Sequence, residues 1–370
     1  MENWFTVNNI PEIDSPALLV YPERILANIQ KALSVIGDVH RLRPHVKTVK
    51  SGEACKMMME AGIYKFKCAT IAEAEMLAES GALDVLLAYQ PVAAKLQRFC
   101  MLVSHYPGTF FSCLTDNEAT AKDISSALSK TGLQAGIYID LNIGMNRTGV
   151  NPGGAAFEVY KICSQLPGIR LMGLHAYDGH IHDTELNIRR DKTIEAFRPV
   201  IELIEKINRT GFTQPTLIAG GTPTFPIHAA IHDDRECSPG TFIYWDEGYQ
   251  SQYPDQHYMI AAVLITRVIS QPTEILVCTD LGHKSVASEN ELEKRIRLLN
   301  LQHYSVLSQS EEHLVLSLEL QHSVKIGDLF YGVPYHICPT VALYEKVYTV
   351  NQGEAKGEWV VNARNRKIEC

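Results

Sequence analysis

Eight short apolar runs, at 39–43, 64–69, 85–89, 109–114, 135–141, 170–176, 216–219 and 242–245, constrain this chain more than any other feature. Helical patterns at 72–79, 117–129, 155–166 and 184–208 follow several of them, with apolar residues recurring at helical spacing. Strands that alternate with helices pair in parallel, because the crossover returns each strand in the same direction. Eight such units predict a closed (β/α)8 TIM barrel rather than an open doubly wound sheet. A helix opens ahead of them at Pro22. Ile25, Leu26, Ile29, Leu33 and Ile36 form its apolar face, and Gly37 stops it. The eighth run stands beside a breaker, Pro239-Gly240.

After about Gly248 the pattern changes. Segments 259–269, 274–279, 312–318 and 347–350 read as β, separated by polar turns, and long helical periodicity disappears. The expected division is a barrel over 15–248 and a mostly-β domain from 1–14 plus 249–370, with 4–10 adding a strand to the latter. No low-complexity linker separates the two, so they are expected to pack closely, with the β domain near the barrel mouth.

A net charge of −8 and the lack of a dense Lys/Arg run argue against a nucleic-acid surface. Nine scattered cysteines, odd in number and without CxxC pairs, fit a reduced, cytoplasmic setting. No apolar run approaches a membrane span, and Met1-Glu2-Asn3-Trp4 does not open a signal peptide.

Chemistry-bearing residues gather where the strands end. Arg43-Pro44-His45-Val46-Lys47-Thr48 carries the first strand into a lysine at the barrel mouth, where a desolvated amine can attack a carbonyl and form a Schiff base. Asp140 through Gly149 breaks into a glycine-flanked turn that holds Arg147, whose planar fork suits a carboxylate or a phenolic oxygen. His175, Tyr177, His180 and His182 close the next strand. Ala219-Gly220-Gly221-Thr222 leads into a helix after the penultimate strand, where barrels often hold phosphate. In the β domain His336-Ile337-Cys338, read as extended, puts imidazole and thiol on one face, a pairing suited to zinc. Taken singly each has an ordinary explanation: a solvated lysine, a surface arginine, a capping histidine, a common Gly-Gly turn, a buried His beside a buried Cys.

Taken in order, these motifs resemble the D-threonine aldolase and eukaryotic-type D-serine dehydratase family, fold type III pyridoxal-phosphate (PLP) enzymes related to alanine racemase. The likeness runs from about Ser15 to about Tyr344. It rests on Arg-Pro-His-x-Lys-Thr, Gly-Met-Asn-Arg-x-Gly, Tyr-x-Gly-His, Gly-Gly-Thr and Pro-x-His-x-Cys in that order. The resemblance implies that Lys47 is the Schiff-base lysine, that Arg147 stands beside the cofactor's phenolic oxygen and that Tyr177 belongs to the cofactor pocket. It implies phosphate contacts from Gly221, Thr222 and Tyr244, and metal ligands in His336 and Cys338. His180 or His182 would be the base of an aldolase, or would order a metal-bound water.

The implied activity is a PLP- and divalent-metal-dependent lyase, with Zn or Mn, acting on D-β-hydroxy amino acids as a homodimer. Aldol cleavage to glycine and an aldehyde is expected first, with dehydration of D-serine to pyruvate and ammonia as the alternative. An amino-acid racemase of the same fold would need a second base such as Tyr249, Tyr253 or Tyr258 and would leave His336 and Cys338 unexplained. A non-catalytic PLP-binding protein would resemble the barrel alone.

Overall fold

The computed structural model describes residues 3–370. The chain forms two compact units: one from residues 31–47, 52–240 and 365–370, the other from Thr48–Ser51, Thr241–Arg364 and the described part of Met1–Gln30. The first strand, β1 (Ala17–Val20), belongs to the second unit.

In the first unit seven parallel strands run in sequence order: β2 (Lys65–Cys68), β3 (Asp84–Leu87), β4 (Phe110–Thr115), β5 (Ala135–Leu141), β6 (Ile169–Ala176), β7 (Thr216–Ala219) and β8 (Glu236–Cys237). Residues 42–45 close the ring as an extended eighth stave. Leu42 bridges Cys237 and His45 bridges Lys67. Arg43 N–H donates to Cys237 O at 2.9 Å, and Lys67 N–H donates to Pro44 O at 2.8 Å. Pro44 has no N–H to give, so this stave is held by a sparse ladder.

Two expected strands are corrected here. The run at 39–43 begins as a 3-10 turn, Val39–Arg41, whose N-cap Asp38 accepts from His40 N–H, and becomes extended only at Leu42. The run at 242–245 is no strand. Thr241–Ile243 forms a 3-10 turn, and the last barrel strand is the short pair Glu236-Cys237.

The barrel's N-terminal face explains why that pair is charged. Arg43, fully buried, grips Asp84 with two bonds of 2.7 and 3.0 Å and Glu236 with one of 2.5 Å, while Lys65 also binds Glu236. Lys65, Asp84 and Glu236 are each the first residue of their strand, so this network lies at the end where barrels invest in stability rather than chemistry. Leu86, Leu114, Tyr138 and Ile218 fill the interior, with Ala88 and Met172 packed against them.

In the second unit β1 lies between the antiparallel β9 (Ala262–Ser270) and the parallel β15 (Lys346–Asn351), and all four of its residues are buried. The sheet order is β12 (Tyr304–Gln309), β13 (Leu314–Leu318), β10 (Leu276–Thr279), β9, β1, β15 and β16 (Glu354–Val360), with β14 (Leu329–Pro334) pairing both β9 and β11 (Ile296–Leu298). The expected strand at 4–10 does not form. Val7 N–H instead caps the Tyr331 hydroxyl at 3.1 Å, Asn8 N–H reaches Gly353 O, and a 3-10 turn follows at Ile10–Glu12. Among the described residues no helix is long and apolar enough to cross a membrane.

Candidate active site

A cavity of about 280 Å³ opens at the C-terminal ends of the barrel strands. Lys47, Arg147 and Tyr177, three of the residues singled out in the sequence, line it together. Lys47 sits in the 3-10 turn Val46–Thr48, directly after the bridge from His45 to β2, and its N–H donates to His45 Nδ1 at 3.3 Å. Its side chain is exposed, so the desolvated amine expected there is not Lys47.

The buried amine is Lys67, on β2. Burial, reinforced by the charge of Lys47, pushes it down to about 7, against the pull of Asp178 and Asp140. Lys67 Nζ lies 3.5 Å from His175 Nε2, and His175 Nδ1 lies 2.7 Å from Asp140 Oδ1. Burial lowers His175, with Asp140 opposing it. Asp140 is itself pushed up by burial, but hydrogen bonds from His175 and Thr148 carry it below the ordinary carboxylate range. Lys67 was readable in principle: Lys65 and Lys67 alternate onto one strand face, and once Lys65 is placed inside the ring Lys67 must follow.

Tyr177 is clamped on several sides. The Arg147 guanidinium lies 5.4 Å from its ring centroid and Lys67 Nζ 5.7 Å, both within cation–π range. A Cβ on Gly221 would stand 3.0 Å from Tyr177 Cε2, so this position must stay small for the ring to keep its place. Gly220 has a φ of +73°, and a Cβ there would meet His228 at 2.6 Å. Beneath this turn, buried Asp178 accepts from the Thr224 hydroxyl at 2.9 Å and pairs with His228 Nε2 at 2.8 Å. The Thr222 hydroxyl accepts from Gly240 N–H at 3.0 Å. The turn is thus held open and glycine-lined, as close approach of a phosphate requires. Tyr244 belongs to the other unit, fully buried after the turn Thr241–Ile243.

The two histidines proposed as bases part company. His180 packs on Gly144, where a Cβ would lie 2.5 Å from its Nε2, and its Nδ1 is buried without a hydrogen-bond partner. His182 is exposed. Neither lines the cavity, whereas His175 does.

His336 and Cys338 do not share an extended strand as expected. β14 ends at Pro334, and His336 is the N-cap of the short helix Ile337–Val341. The side chains still meet. Burial works against a charged His336, but its hydrogen bond to Cys338, the sulfur's charge, Asp246 and Glu289 lift it to about 9. Glu289 Oε1 lies 2.5 Å from His336 Nδ1. The Thr48 hydroxyl is 3.1 Å from Cys338 Sγ and the Thr241 hydroxyl 3.6 Å. A carboxylate on the imidazole and hydroxyls on the sulfur are the outer-shell contacts that orient metal ligands. Among the described residues no group of three or more His, Cys, Asp or Glu side chains is arranged to hold a metal. Imidazole and thiol are donors of the kind a divalent metal takes, and two protein ligands would leave positions for substrate and water.

The profile of the family described as "Alanine racemase, N-terminal domain" matches residues 20–248, well over half of the chain. The chain belongs to that family. A second profile, "Putative serine dehydratase domain", matches residues 261–350. Within the family the chain is similar to a 3-hydroxy-D-aspartate aldolase of Paracoccus denitrificans, 26% identical over 96% of this chain and 93% of that protein. It is also similar to a D-threonine aldolase of an Arthrobacter species, 24% identical over 96% and 94% of the two chains. The crystal structure of D-threonine aldolase from Filomicrobium marinum superposes with a TM-score of 0.88 at 25% identity, covering 95% of this chain and 96% of that one. The expected fold is thus the alanine racemase type: a parallel barrel followed by a β-rich domain.

Proposed function

We propose that this alanine racemase-family chain is a PLP- and divalent-metal-dependent lyase acting on D-β-hydroxy amino acids, by aldol cleavage to glycine and an aldehyde. The observation that carries the reading is the meeting of His336 and Cys338, backed by Glu289 and Thr48, in a chain whose barrel presents Lys47 at its mouth. A racemase of this fold has no use for such a donor pair. Bound PLP supplies an aldehyde for the amino nitrogen and a ring that accepts the electron pair of the broken Cα bond, while the metal polarises the β-hydroxyl.

The residues divide the remaining work. Lys47 would hold the cofactor through its exposed amine. Tyr177 and Arg147 wall the cavity, and Gly221 and Thr222 would take the phosphate, a role the resemblance also implies for Tyr244. His336 and Cys338 hold the metal. His180, placed against the Arg147 loop, is the better candidate of the two histidines to accept the β-hydroxyl proton, because it is the more buried of the two. We further propose a cytoplasmic homodimer.

Purified protein should carry the yellow PLP absorbance, and borohydride should fix the cofactor to the peptide containing Lys47. Chelation should abolish cleavage of D-threonine and D-3-hydroxyaspartate while leaving the absorbance, and Zn²⁺ or Mn²⁺ should restore it. Pyruvate from D-serine, without glycine from D-threonine, would move the assignment to the dehydratase. D/L-alanine exchange in chelated protein would move it to the racemase.

A further inference from the structure

Lys67 is a buried basic residue that makes no ion pair among the described residues. Two other buried basic residues of the barrel are paired with acids: Arg43 with Asp84 and Glu236, Arg235 with Asp233. Lys67, 2% exposed, has among the described residues the hydrogen-bond partner His175 Nε2, at the long distance of 3.5 Å. Asp140 is occupied by His175 and Thr148. Because Asp140 accepts from His175 Nδ1–H, a neutral imidazole presents Nε2 as a lone pair. It takes one N–H of the amine and leaves the other donors aimed into the cavity that Lys67 lines. The charged form of an amine in this position costs stability that a methionine of similar length would not. Such a cost is sustained where a ligand brings the missing negative charge.

We propose that Lys67 is an anion-binding residue of the cavity, receiving one oxyanion of the bound ligand, either the ring oxygen of PLP or the carboxylate of the amino acid. The inference rests on the reading of this cavity as the PLP site. Two observations favour the ring oxygen. Lys47 and Lys67 line the same cavity, and His45, two residues before Lys47, bridges Lys67, so the two residues stand on adjacent staves. In PLP the oxygen and the aldehyde stand on adjacent ring carbons, so a cofactor delivering its aldehyde to Lys47 brings its oxygen to those same staves. Asp140 and His175 act as positioning residues for the amine.

The test compares equilibrium binding of PLP and of its 3-O-methyl ether, which lacks the ionisable oxygen, to cofactor-free wild type and Lys67→Met. The wild type should prefer PLP. The variant should bind PLP about tenfold to a hundredfold more weakly and lose the preference. The cofactor-free variant should melt no lower than wild type, which a packing role for Lys67 would not produce. If the carboxylate is the partner, PLP binding stays unchanged and the discrimination between D-serine and its methyl ester disappears instead. Unaltered discrimination in both pairs overturns the proposal. Should Lys67→Met fail to fold, Lys67→Gln carries the same comparison. A wild type that binds no PLP would sink the proposed function, whereas PLP-binding protein indifferent to Lys67 sinks only this inference.

Discussion

The Thr48 hydroxyl stands 3.1 Å from the Cys338 sulfur, and Thr48 follows Lys47 in the same 3-10 turn. One turn of backbone therefore presents the proposed Schiff-base amine and supports the proposed metal thiolate. A hydroxyl bonded to a thiolate fixes the sulfur's direction and spreads its charge.

Thr48→Val keeps the buried shape but removes that hydroxyl. Zinc affinity, measured by competition with a chelator, should fall about tenfold to a hundredfold, and Thr48→Ser should recover most of it. Wild-type affinity in the valine variant would mean that the contact is packing alone.

Gly221→Val puts atoms into Tyr177, whose Cε2 would lie 3.0 Å from the new Cβ. PLP retention during dialysis should drop sharply. Thr222→Ala, which removes one hydroxyl, should lower cofactor affinity by about 1–3 kcal/mol, the range for a hydrogen bond to a charged group. Normal retention in both variants would place the phosphate elsewhere.

Glu236→Ala strips the buried Arg43 of one partner and Lys65 of its own. Leaving a buried charge half-paired should cost about 3–5 kcal/mol in urea denaturation. Turnover of the folded, cofactor-saturated enzyme should hardly change, because the network lies on the N-terminal face. A large fall in kcat with unchanged stability would contradict that division of labour.

Lys67 makes stability depend on pH. Its amine titrates near 7 in the folded chain, against an ordinary 10.5. Between those values the unfolded chain binds the proton and the folded chain does not, so stability rises with pH through this window and is flat below it. For cofactor-free protein, the stability advantage of Lys67→Met should therefore shrink by at most about 1.4 kcal/mol per pH unit from pH 7 upward. Denaturation curves at pH 7, 8 and 9 would show it. A constant gap would mean the buried amine keeps its proton.

Where sequence and structure part, the reason is burial of charge. Glu236-Cys237, flanked by Asp233, Asp234 and Arg235, looks like a solvated loop, and the apolar run at 242–245 was the more persuasive strand. Only the ring, which brings Arg43 and Lys65 against Glu236, turns that acid into a strand residue. Lys67 is hidden for the same reason, since two alternating lysines in a four-residue strand look like the solvent face. His336-Ile337-Cys338 looks like a strand in the sequence, but His336 is the N-cap of a short helix. Backbone N–H of Ile337 is drawn to the Asp246 carboxylate at 3.0 Å, and a helical turn begins there instead.

The amino-acid order alone determined the alternation that makes a parallel barrel, the change to β structure after Gly248, and the strand-end motifs around Lys47, Arg147, Tyr177 and Gly221. Those follow from local periodicity and from glycine and proline at turns, which a linear chain displays directly. The tertiary structure alone decided which segment closes the ring, which acid neutralises Arg43 and which lysine loses contact with water. Each of these depends on what stands across the barrel, as Glu236 stands some 190 residues from Arg43, and no local pattern encodes a partner at that distance.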